Sequence, residues 1–382
     1  MSPPKGVLLL THRLDLGGSE RQMTEVAKGL DRNRFTPHVA CFHPEGIRGE
    51  ELRAAAVPIL HLPVTSFASV SALRGCAALM RYIRHHGIRI VHSYDVPLNI
   101  FSVPFAKLAH GPVVLSSQRA HRNLTPGLYT RLLRITDQMI DGIVVNCLHM
   151  RDHLTEEERI SPELIHLCYN GIDFLVFRRE GPKAVLPQPA PEGGAVIGVV
   201  CALRPEKGLL TLIRGFASVH RRHPFARLVI VGGGPMLPQL EREAEALGVR
   251  RLCSFVHKTS DVAQWMRAID IFVLPSLSEA LSNSLMEAMA CGCCCIASRV
   301  GGNPELIGEN TRGLLFPKED SEALAQALDK LLQNRQLRQE LADAGHRFIH
   351  GGFSQAQSVG RMEEIYTSFV GTKQHRTQPV WE

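Results

Sequence analysis

The chain has no hydrophobic run of membrane-spanning length. No stretch approaches the ~18 uncharged apolar residues that a transmembrane helix needs. Its first residues, MSPPKGVLLLTH, also lack the layout of a cleavable signal, because the apolar core is too short. These absences argue against a membrane span and against export, so we expect a cytoplasmic protein.

A second cysteine pair at zinc-site spacing is missing as well. Cys291 and Cys294 form a C-x-x-C spacing in a run that includes Cys293 and Cys295, but no matching pair follows. Without an export signal, we expect these thiols to be reduced and buried. No aromatic-rich basic strand or helix-turn-helix pattern accompanies the net charge of +6, so a phosphorylated small molecule or a lipid headgroup fits that charge better than nucleic acid does.

What the chain does have is one pattern that occurs twice. Its 382 residues are about twice a common domain size. Each half alternates short apolar strand candidates with helical patterns, which predicts a parallel sheet covered on both faces. The strand candidates are 6–11, 36–42, 88–92, 113–117 and 142–146 in the first half, and 195–203, 227–231, 270–274 and 293–297 in the second.

Between the halves, EGPKAVLPQPAPEGG loses its periodicity and gathers four prolines. We therefore predict an α/β fold with a first Rossmann-like domain over 1–179, a linker over 180–194, a second domain over 195–370 whose last helix packs back on the first domain, and a polar tail over 371–382. Ligands of doubly wound sheets collect beyond the carboxyl ends of the strands. Chemistry is accordingly expected in the loops LDLGGSE, RPEKG, GGGP and SLSEALSN.

Two glutamates, Glu279 and Glu287, stand in the stretch SLSEALSNSLMEAMACG. Ser284 followed three residues later by Glu287 is a capping-box pattern, and it predicts a short helix from about 284 to 291 with Glu287 in its first turn. A continuous helix would separate the two glutamates by ~12 Å of rise, which suits two contacts on an extended ligand better than an acid/base pair on one atom. The helix N-terminus between them favours a phosphate. Alternatively, Glu287 only caps the helix and Glu279 is a solvated loop charge.

These residues resemble the donor-site signature of the retaining family-four glycosyltransferases. The resemblance extends in order over nearly the whole chain, through LDLGGSERQMTEVAKGL, YNGID, LRPEKG, VGGGP and SRVGGNPELI. It implies the GT-B architecture, in which two doubly wound Rossmann-like domains face a central cleft. It also implies transfer of a sugar from a nucleotide-diphosphate sugar to an acceptor with the anomeric configuration kept. The chain has no Asp-x-Asp, the feature of manganese-dependent transferases of the other major architecture, so neither a metal nor another cofactor is expected.

The resemblance assigns roles by position. Glu279 would contact hydroxyls of the donor sugar, and Glu287 the ribose hydroxyls. Lys207, helped by Arg204, would neutralise the leaving diphosphate. Backbone amides of Asn283, Ser284 and Leu285 would hold that diphosphate, while Gly17 and Gly18 would let the backbone approach the phosphates or the acceptor.

Three positions depart from the family pattern. Ala202 stands where many members have a phosphate-binding arginine. Ala280 replaces the usual glycine and would be strained if the backbone needed a positive φ. In LSSQRAHRN the usual histidine is not cleanly present, so His121 is the nearest candidate, with Gln118 or Arg119 as replacements and a structural histidine as the alternative.

The acceptor is expected to be a glycan or a lipid-linked sugar in cell-surface polysaccharide or glycoconjugate biosynthesis. Basic residues gather over 81–89 and 119–134, which would suit peripheral contact with the inner membrane face; the alternative is a pair of solvated helix faces. Two other functions stay open at this point. One is a nucleotide-sugar epimerase of similar fold, and the other is a non-catalytic scaffold that binds nucleotide.

Overall fold

The protein consists of two compact units. A computed structural model describes residues 3–122, 125–257, 259 and 261–375, with side chains through residue 370. The first unit runs to Gly171 and resumes at Gln355, and the second spans Ile172–Ser354. In the described residues, no helix combines the length and the apolarity needed to cross a membrane.

The first unit is built on a seven-stranded parallel sheet. Its strand order is β3-β2-β1-β4-β5-β6-β7, and all pairings are parallel. Branched and aliphatic side chains make the central strands fully buried, as in β1, where Val7, Leu8, Leu9 and Leu10 are all inaccessible to solvent. The strands are β1 Lys5–Arg13, β2 Phe35–His43, β3 Ile59–His61, β4 Ile88–Ser93, β5 Val113–Gln118, β6 Gly142–Val145 and β7 Ile165–Leu167.

Helices flank this sheet, and the last helix of the chain belongs to this unit. Tyr366 on that helix is fully buried, and its hydroxyl lies 2.8 Å from Nδ1 of His92 in β4. Glu363 on the same helix forms an ion pair with Arg34, which directly precedes β2, at 2.8 Å. The helices are α1 Gly18–Gly29, α2 Ile47–Ala54, α3 Val70–His85, α4 Val96–Leu108, α5 Gly127–Asp137, α6 Leu148–Glu156 and α14 Gln355–His375.

The second unit repeats the architecture with six strands. Their order is β10-β9-β8-β11-β12-β13, again with parallel pairings throughout. The strands are β8 Val196–Val200, β9 Arg227–Val231, β10 Cys253–Val256, β11 Ile271–Leu274, β12 Cys294–Ser298 and β13 Leu314–Phe316. Cys293, Cys294 and Cys295 are buried at the start of β12.

Seven helices of the second unit connect and cover these strands. Amphipathic α7 turns Leu212, Ile213 and Phe216 into the core, where none is exposed. The helices are α7 Leu209–His220, α8 Leu237–Ala246, α9 Val262–Ala268, α10 Asn283–Ala290, α11 Asn303–Ile307, α12 Ser321–Gln333 and α13 Arg335–Gly352. The predicted α/β class with two doubly wound sheets is confirmed.

The crossing between the units differs from the predicted linker over 180–194. That segment lies inside the second unit, because it is fastened to α9: Ala184 N–H donates to the Gln264 carbonyl at 3.0 Å, and Arg267 Nε donates to the Pro182 carbonyl at 2.8 Å. The chain passes between units at 171–172 and 354–355 instead. Of the predicted tail over 371–382, residues 376–382 lie outside the described residues.

Candidate donor site at the switch point of the second sheet

The strand order of the second sheet reverses between β8 and β11. These strands are neighbours, with Ile271 paired to Ile197, although one starts the domain and the other comes fourth. A crevice opens beyond the carboxyl ends of strands at such a reversal. The two loops that leave these strands there are RPEKG and SLSEALSN.

A glycine fixes the first of these loops. After β8, Pro205–Lys207 forms one 3₁₀ turn that ends at Gly208, whose φ of 61° is left-handed. A Cβ at Gly208 would lie 2.1 Å from the Pro275 carbonyl oxygen, so only glycine lets the loops approach this closely. Leu277 N–H then donates to the Glu206 carbonyl at 2.8 Å, which holds the second loop against the first.

This contact brings Lys207 and Glu279 together. Lys207 Nζ donates to Glu279 Oε1 at 2.6 Å, and the hydroxyl of fully buried Ser276 donates to the same oxygen at 2.7 Å. The side chains of Lys207 and Glu279 are 21% and 10% exposed. Burial alone would lower the pKa of Lys207, but the Glu279 carboxylate outweighs burial and raises it. The lysine is therefore a fixed cation, and Glu279 is not a solvated loop charge.

The segment that leaves β12 supports the Glu279 loop from behind. Ser298 at the end of β12 donates its hydroxyl to the Ser276 carbonyl at 2.6 Å. A Cβ at Gly301, where φ is 54°, would lie 1.8 Å from the Glu279 carbonyl oxygen. Gly302 N–H donates to the Ala280 carbonyl at 2.7 Å. Ser276 and Ser298 went unnoticed in the sequence, although each stands at the end of a strand candidate.

The strain considered for Ala280 is absent. Ala280 is buried, and it is not among the non-glycine residues with positive φ in the described parts of the chain. The methyl group is accommodated in ordinary backbone geometry.

The helix after this loop begins one residue earlier than the capping-box pattern predicts. Ser282 rather than Ser284 is the N-cap of α10, and its hydroxyl accepts from Leu285 N–H at 3.4 Å. The Leu285 amide is therefore already bonded within this first turn, and Asn283 and Ser284 are the first two residues of the helix.

Glu287 is the fifth residue of α10, not a first-turn residue, and it is 5% exposed. A capping role is thereby excluded. Glutamate side chains are rarely buried this deeply unless they are paired.

Arg204 does not join the pair. Its side chain is 64% exposed, and its Nη1 lies 4.0 Å from Glu206 Oε1. Ala202 is likewise exposed. Of the predicted cations, only Lys207 is held against Glu279.

The GGGP turn after β9 supports the first loop from the opposite side. A Cβ at Gly232 would lie 1.8 Å from the Cys201 carbonyl oxygen, and one at Gly234 would lie 2.4 Å from that of Leu203. Leu203 N–H donates to the Gly233 carbonyl at 3.0 Å. The absence of side chains at these glycines lets the GGGP turn pack directly against the backbone that follows β8.

The first sheet has a corresponding reversal between β1 and β4. Asp95 follows β4 and caps α4, accepting from Leu98 N–H at 2.9 Å, from the Thr11 hydroxyl at 3.0 Å and from His12 N–H. Burial raises the pKa of this carboxyl to about 6 despite those hydrogen bonds. The sequence offered one signal for Asp95: it follows a strand candidate directly, in IVHSYD.

The glycine loop after β1 lies in this unit too. Gly17 is the N-cap of α1 and Gly18 its first residue. A Cβ at Gly17 would lie 1.9 Å from Glu20 Oε2, so the close approach here is that of the Glu20 side chain.

The three candidates for the missing histidine are held differently. Gln118 Nε2 donates to the Ala120 carbonyl at 2.6 Å, and Arg119 Nη1 donates to Asn170 Oδ1 at 2.7 Å. The ring of His121 contacts that of His153, with 3.8 Å between centroids and 34° between ring planes. Burial, and then His153, lower the pKa of His121. A catalytic role for His121 stays a prediction.

Two family models match the chain. One, described as "Glycosyl transferases group 1", covers residues 185–348, and the other, "Glycosyltransferase Family 4", covers residues 16–174. Together they account for most of the chain, and the first contains the whole Lys207–Glu279 site.

Curated relatives are similar over different lengths. A D-inositol 3-phosphate glycosyltransferase of Saccharomonospora viridis is 29% identical over 71% of this chain and 67% of its own length. The UDP-Gal:alpha-D-GlcNAc-diphosphoundecaprenol alpha-1,3-galactosyltransferase of Escherichia coli is 22% identical over 94% of this chain and 95% of its own. For an N-acetyl-alpha-D-glucosaminyl L-malate synthase of Bacillus anthracis, at 28% identity, the match covers 53% of each chain.

Solved structures share the fold. Anabaena Alr3699/HepE in complex with UDP and glucose has a TM-score of 0.81 at 19% identity, over 95% of this chain and 99% of its own. Sucrose-phosphate synthase of Thermosynechococcus elongatus has a TM-score of 0.80 at 16% identity, over 96% and 100%.

Proposed function

Because the chain belongs to the family-four glycosyltransferases, which have the GT-B fold, we propose that it moves a sugar from a nucleotide-diphosphate sugar to a glycan or lipid-linked acceptor, with retention and without a metal. The observation that carries the proposal is the Lys207–Glu279 pair at 2.6 Å, next to the N-terminus of α10. It combines a mostly buried cation, a fixed carboxylate and the positive end of a helix dipole at one switch point.

Lys207 and the helix terminus suit a leaving diphosphate. Negative charge grows on that group as the bond from the anomeric carbon to the phosphate oxygen breaks. Groups already positioned there lower the barrier, and losing one typically costs about 3 to 4 kcal/mol. The amides of Asn283 and Ser284 and the dipole of α10 act in the same direction. Arg204, whose side chain is 64% exposed, would supply a second cation.

Glu279 would then hold the sugar. Its Oε1 is committed to Lys207 and Ser276, which leaves Oε2 for donor hydroxyls. Glu287, buried on α10, would bind the ribose. In the transfer step the acceptor oxygen bonds to the anomeric carbon on the face that the phosphate leaves, and the acceptor's proton passes to the leaving phosphate oxygen. No metal is required, since Lys207 and the amides carry the neutralising role.

The acceptor side belongs to the first unit. On α3, Val70 and Leu73 are 63% and 69% exposed, and further along this helix a shallow groove of about 570 Å³ is lined by Ala77, Met80, Arg81, Arg84 and His85. Apolar side chains beside arginines suit an anionic membrane surface. On α5, Leu128 is 66% exposed, whereas Leu133 is buried.

Donor binding tests the proposal directly. Purified protein is heated with UDP, GDP, ADP, CDP or dTDP in the presence of a chelator, next to Glu287→Ala and to Glu309→Ala, which alters an exposed carboxylate of the same unit. A nucleotide at a hundredfold its Kd should add about 2.7 kcal/mol of stability. We expect one base to stabilise wild type and Glu309→Ala but not Glu287→Ala. No stabilisation by any nucleotide would contradict the proposal.

Turnover separates the remaining functions. With the stabilising nucleotide's sugar as donor, a transferase needs an acceptor, and the product's anomeric configuration reports retention. Conversion of the donor without an acceptor would instead indicate an epimerase, which none of the comparisons supports. Binding without any turnover would indicate a scaffold, although the intact Glu279, Lys207 and Glu287 set argues against it.

A further inference from the structure

Two histidines and a glutamate form a cluster in the first unit, apart from the proposed donor site. The potential ligand atoms of His121, His153 and Glu157 all lie within 4.8 Å of one another. Nothing in the proposed sugar transfer uses His153 or Glu157. The inference that follows does not rest on that function.

Local structure brings the three side chains together. His153 lies in α6, and Glu157, four residues later, is the C-cap of that helix, so both side chains point from the same helix face. His153 Nδ1 lies 3.0 Å from Glu157 Oε2. His121 comes from the chain after β5, and its ring contacts that of His153. Ligands thus come from two separate elements.

His153 is the unusual member. Its side chain is only 1% exposed. Neither of its ring nitrogens makes a regular hydrogen bond among the described residues, although Nδ1 lies 3.0 Å from Glu157 Oε2. Buried side-chain nitrogens are nearly always partnered, because burying a polar group without compensation is costly. One nitrogen of His153 lies within 4.8 Å of the ligand atoms of His121 and Glu157, and a cation bound among the three would give that nitrogen a partner.

Two adjacent glutamates, Glu157 and Glu158, lie near this cluster, and only one of them is available as a metal ligand. Glu158 is committed to arginines, with Arg134 at 3.0 Å and Arg122 at 3.4 Å. Glu157 is 61% exposed and faces the histidines instead. Its oxygen can therefore turn to a metal without leaving an arginine unpaired.

From this geometry we propose that His121, His153 and Glu157 bind a divalent transition metal, with Zn²⁺ as the best match. Two imidazole nitrogens and a carboxylate oxygen are a common zinc ligand set, with water in the fourth position. Oxygen-preferring Mg²⁺ and Ca²⁺ fit this set poorly. The exposed His149, whose ring centroid is 6.1 Å from that of His121, could replace the water. The metal would fasten the chain after β5 to α6.

Metal titration tests this on the full-length chain, purified without a histidine tag and stripped with a chelator. Zn²⁺ is titrated calorimetrically, and Co²⁺ is followed by visible absorption, since thiolate ligation would add a charge-transfer band. Glu157→Gln is the main variant because the side chain it alters is 61% exposed and keeps its size. Glu156→Gln, the exposed neighbour on the same helix, is the matched control, and His121→Asn removes the ligand from the other element.

We expect one Zn²⁺ per chain in wild type and in Glu156→Gln, a Co²⁺ spectrum without the thiolate band, and affinity at least ~tenfold weaker in Glu157→Gln and in His121→Asn. The inference is overturned by wild type that shows no saturable site, by a thiolate band, by equal affinity in either ligand variant, or by an equal loss in Glu156→Gln.

Discussion

The Lys207–Glu279 pair should be energetically coupled. Two unit charges 2.6 Å apart attract by about 6 kcal/mol at an effective dielectric constant of ~20. Removing both from water offsets most of that attraction. Because the side chains are 21% and 10% exposed, we expect a net coupling of about 1 to 3 kcal/mol, between the values for surface pairs and for fully buried ones.

A double-mutant cycle measures this coupling. The variants are Lys207→Met, Glu279→Gln and the pair together, each unfolded in urea. Trp265 in α9 reports on the second unit, and Trp381, which lies outside the described residues, is replaced by phenylalanine throughout so that the signal comes from one tryptophan. Each single change leaves one charge without its counter-ion, so the double variant should lose less stability than the two single losses combined.

An exposed ion pair in the same unit is the control. Arg299 Nη1 and Glu309 Oε1 are also 2.6 Å apart, but their side chains are 49% and 64% exposed. The cycle of Arg299→Met with Glu309→Gln should give well under ~1 kcal/mol. Coupling below ~0.3 kcal/mol at Lys207–Glu279, the limit of additivity for independent sites, or coupling no larger than that of the control, would refute the reasoning from burial.

Three further changes test the support around both switch points. Gly301→Ala places a methyl group 1.8 Å from the Glu279 carbonyl oxygen and should cost stability of at least ~1 kcal/mol with a loss of nucleotide binding, whereas Gly233→Ala, with open space around its Cβ, should be tolerated in the same urea and binding assays. Ser276→Ala removes one hydrogen bond to Glu279 and should cost about 1 kcal/mol in urea unfolding. Burial holds the pKa of Asp95 at about 6, above its ordinary 3.8, so wild type should lose on the order of 3 kcal/mol relative to Asp95→Asn as pH rises from about 4 to 6; parallel pH profiles of the two unfolding free energies would contradict this.

The strands that the sequence did and did not predict differ in one physical respect. All nine predicted strands exist, and they include every strand interior to the two sheets. The four that were missed, β3, β7, β10 and β13, are the four sheet edges. Interior strands of parallel sheets are buried on both faces and read as continuous apolar runs. Edge strands are short and partly exposed, as in β3, where none of Ile59, Leu60 and His61 is buried.

The sequence predicted which individual residues belong to the site but not which of them contact each other. Lys207 and Glu279 both lie in loops that follow predicted strands, and this position identified both as candidate site residues. The two residues are 72 positions apart in the sequence. Their contact depends on β8 and β11 being neighbours, which no local pattern reveals. The start of α10 was also missed. The capping-box pattern favours Ser284 because Glu287 follows it by three residues, whereas Leu285 stands three residues after Ser282, the observed N-cap.

The two sheets place an acidic side chain at the same topological position and use it differently. Asp95 follows β4, which neighbours β1, and Glu279 lies beyond β11, which neighbours β8. Asp95 accepts hydrogen bonds from its own helix and from β1, with no cation beside it, so burial raises its pKa and it acts as a structural cap. Glu279 has the Lys207 cation on one oxygen and the helix terminus nearby. Of these two described sites, the one at Glu279 combines opposite charges that a phosphorylated ligand could separate, which is why we propose the donor site in the second unit.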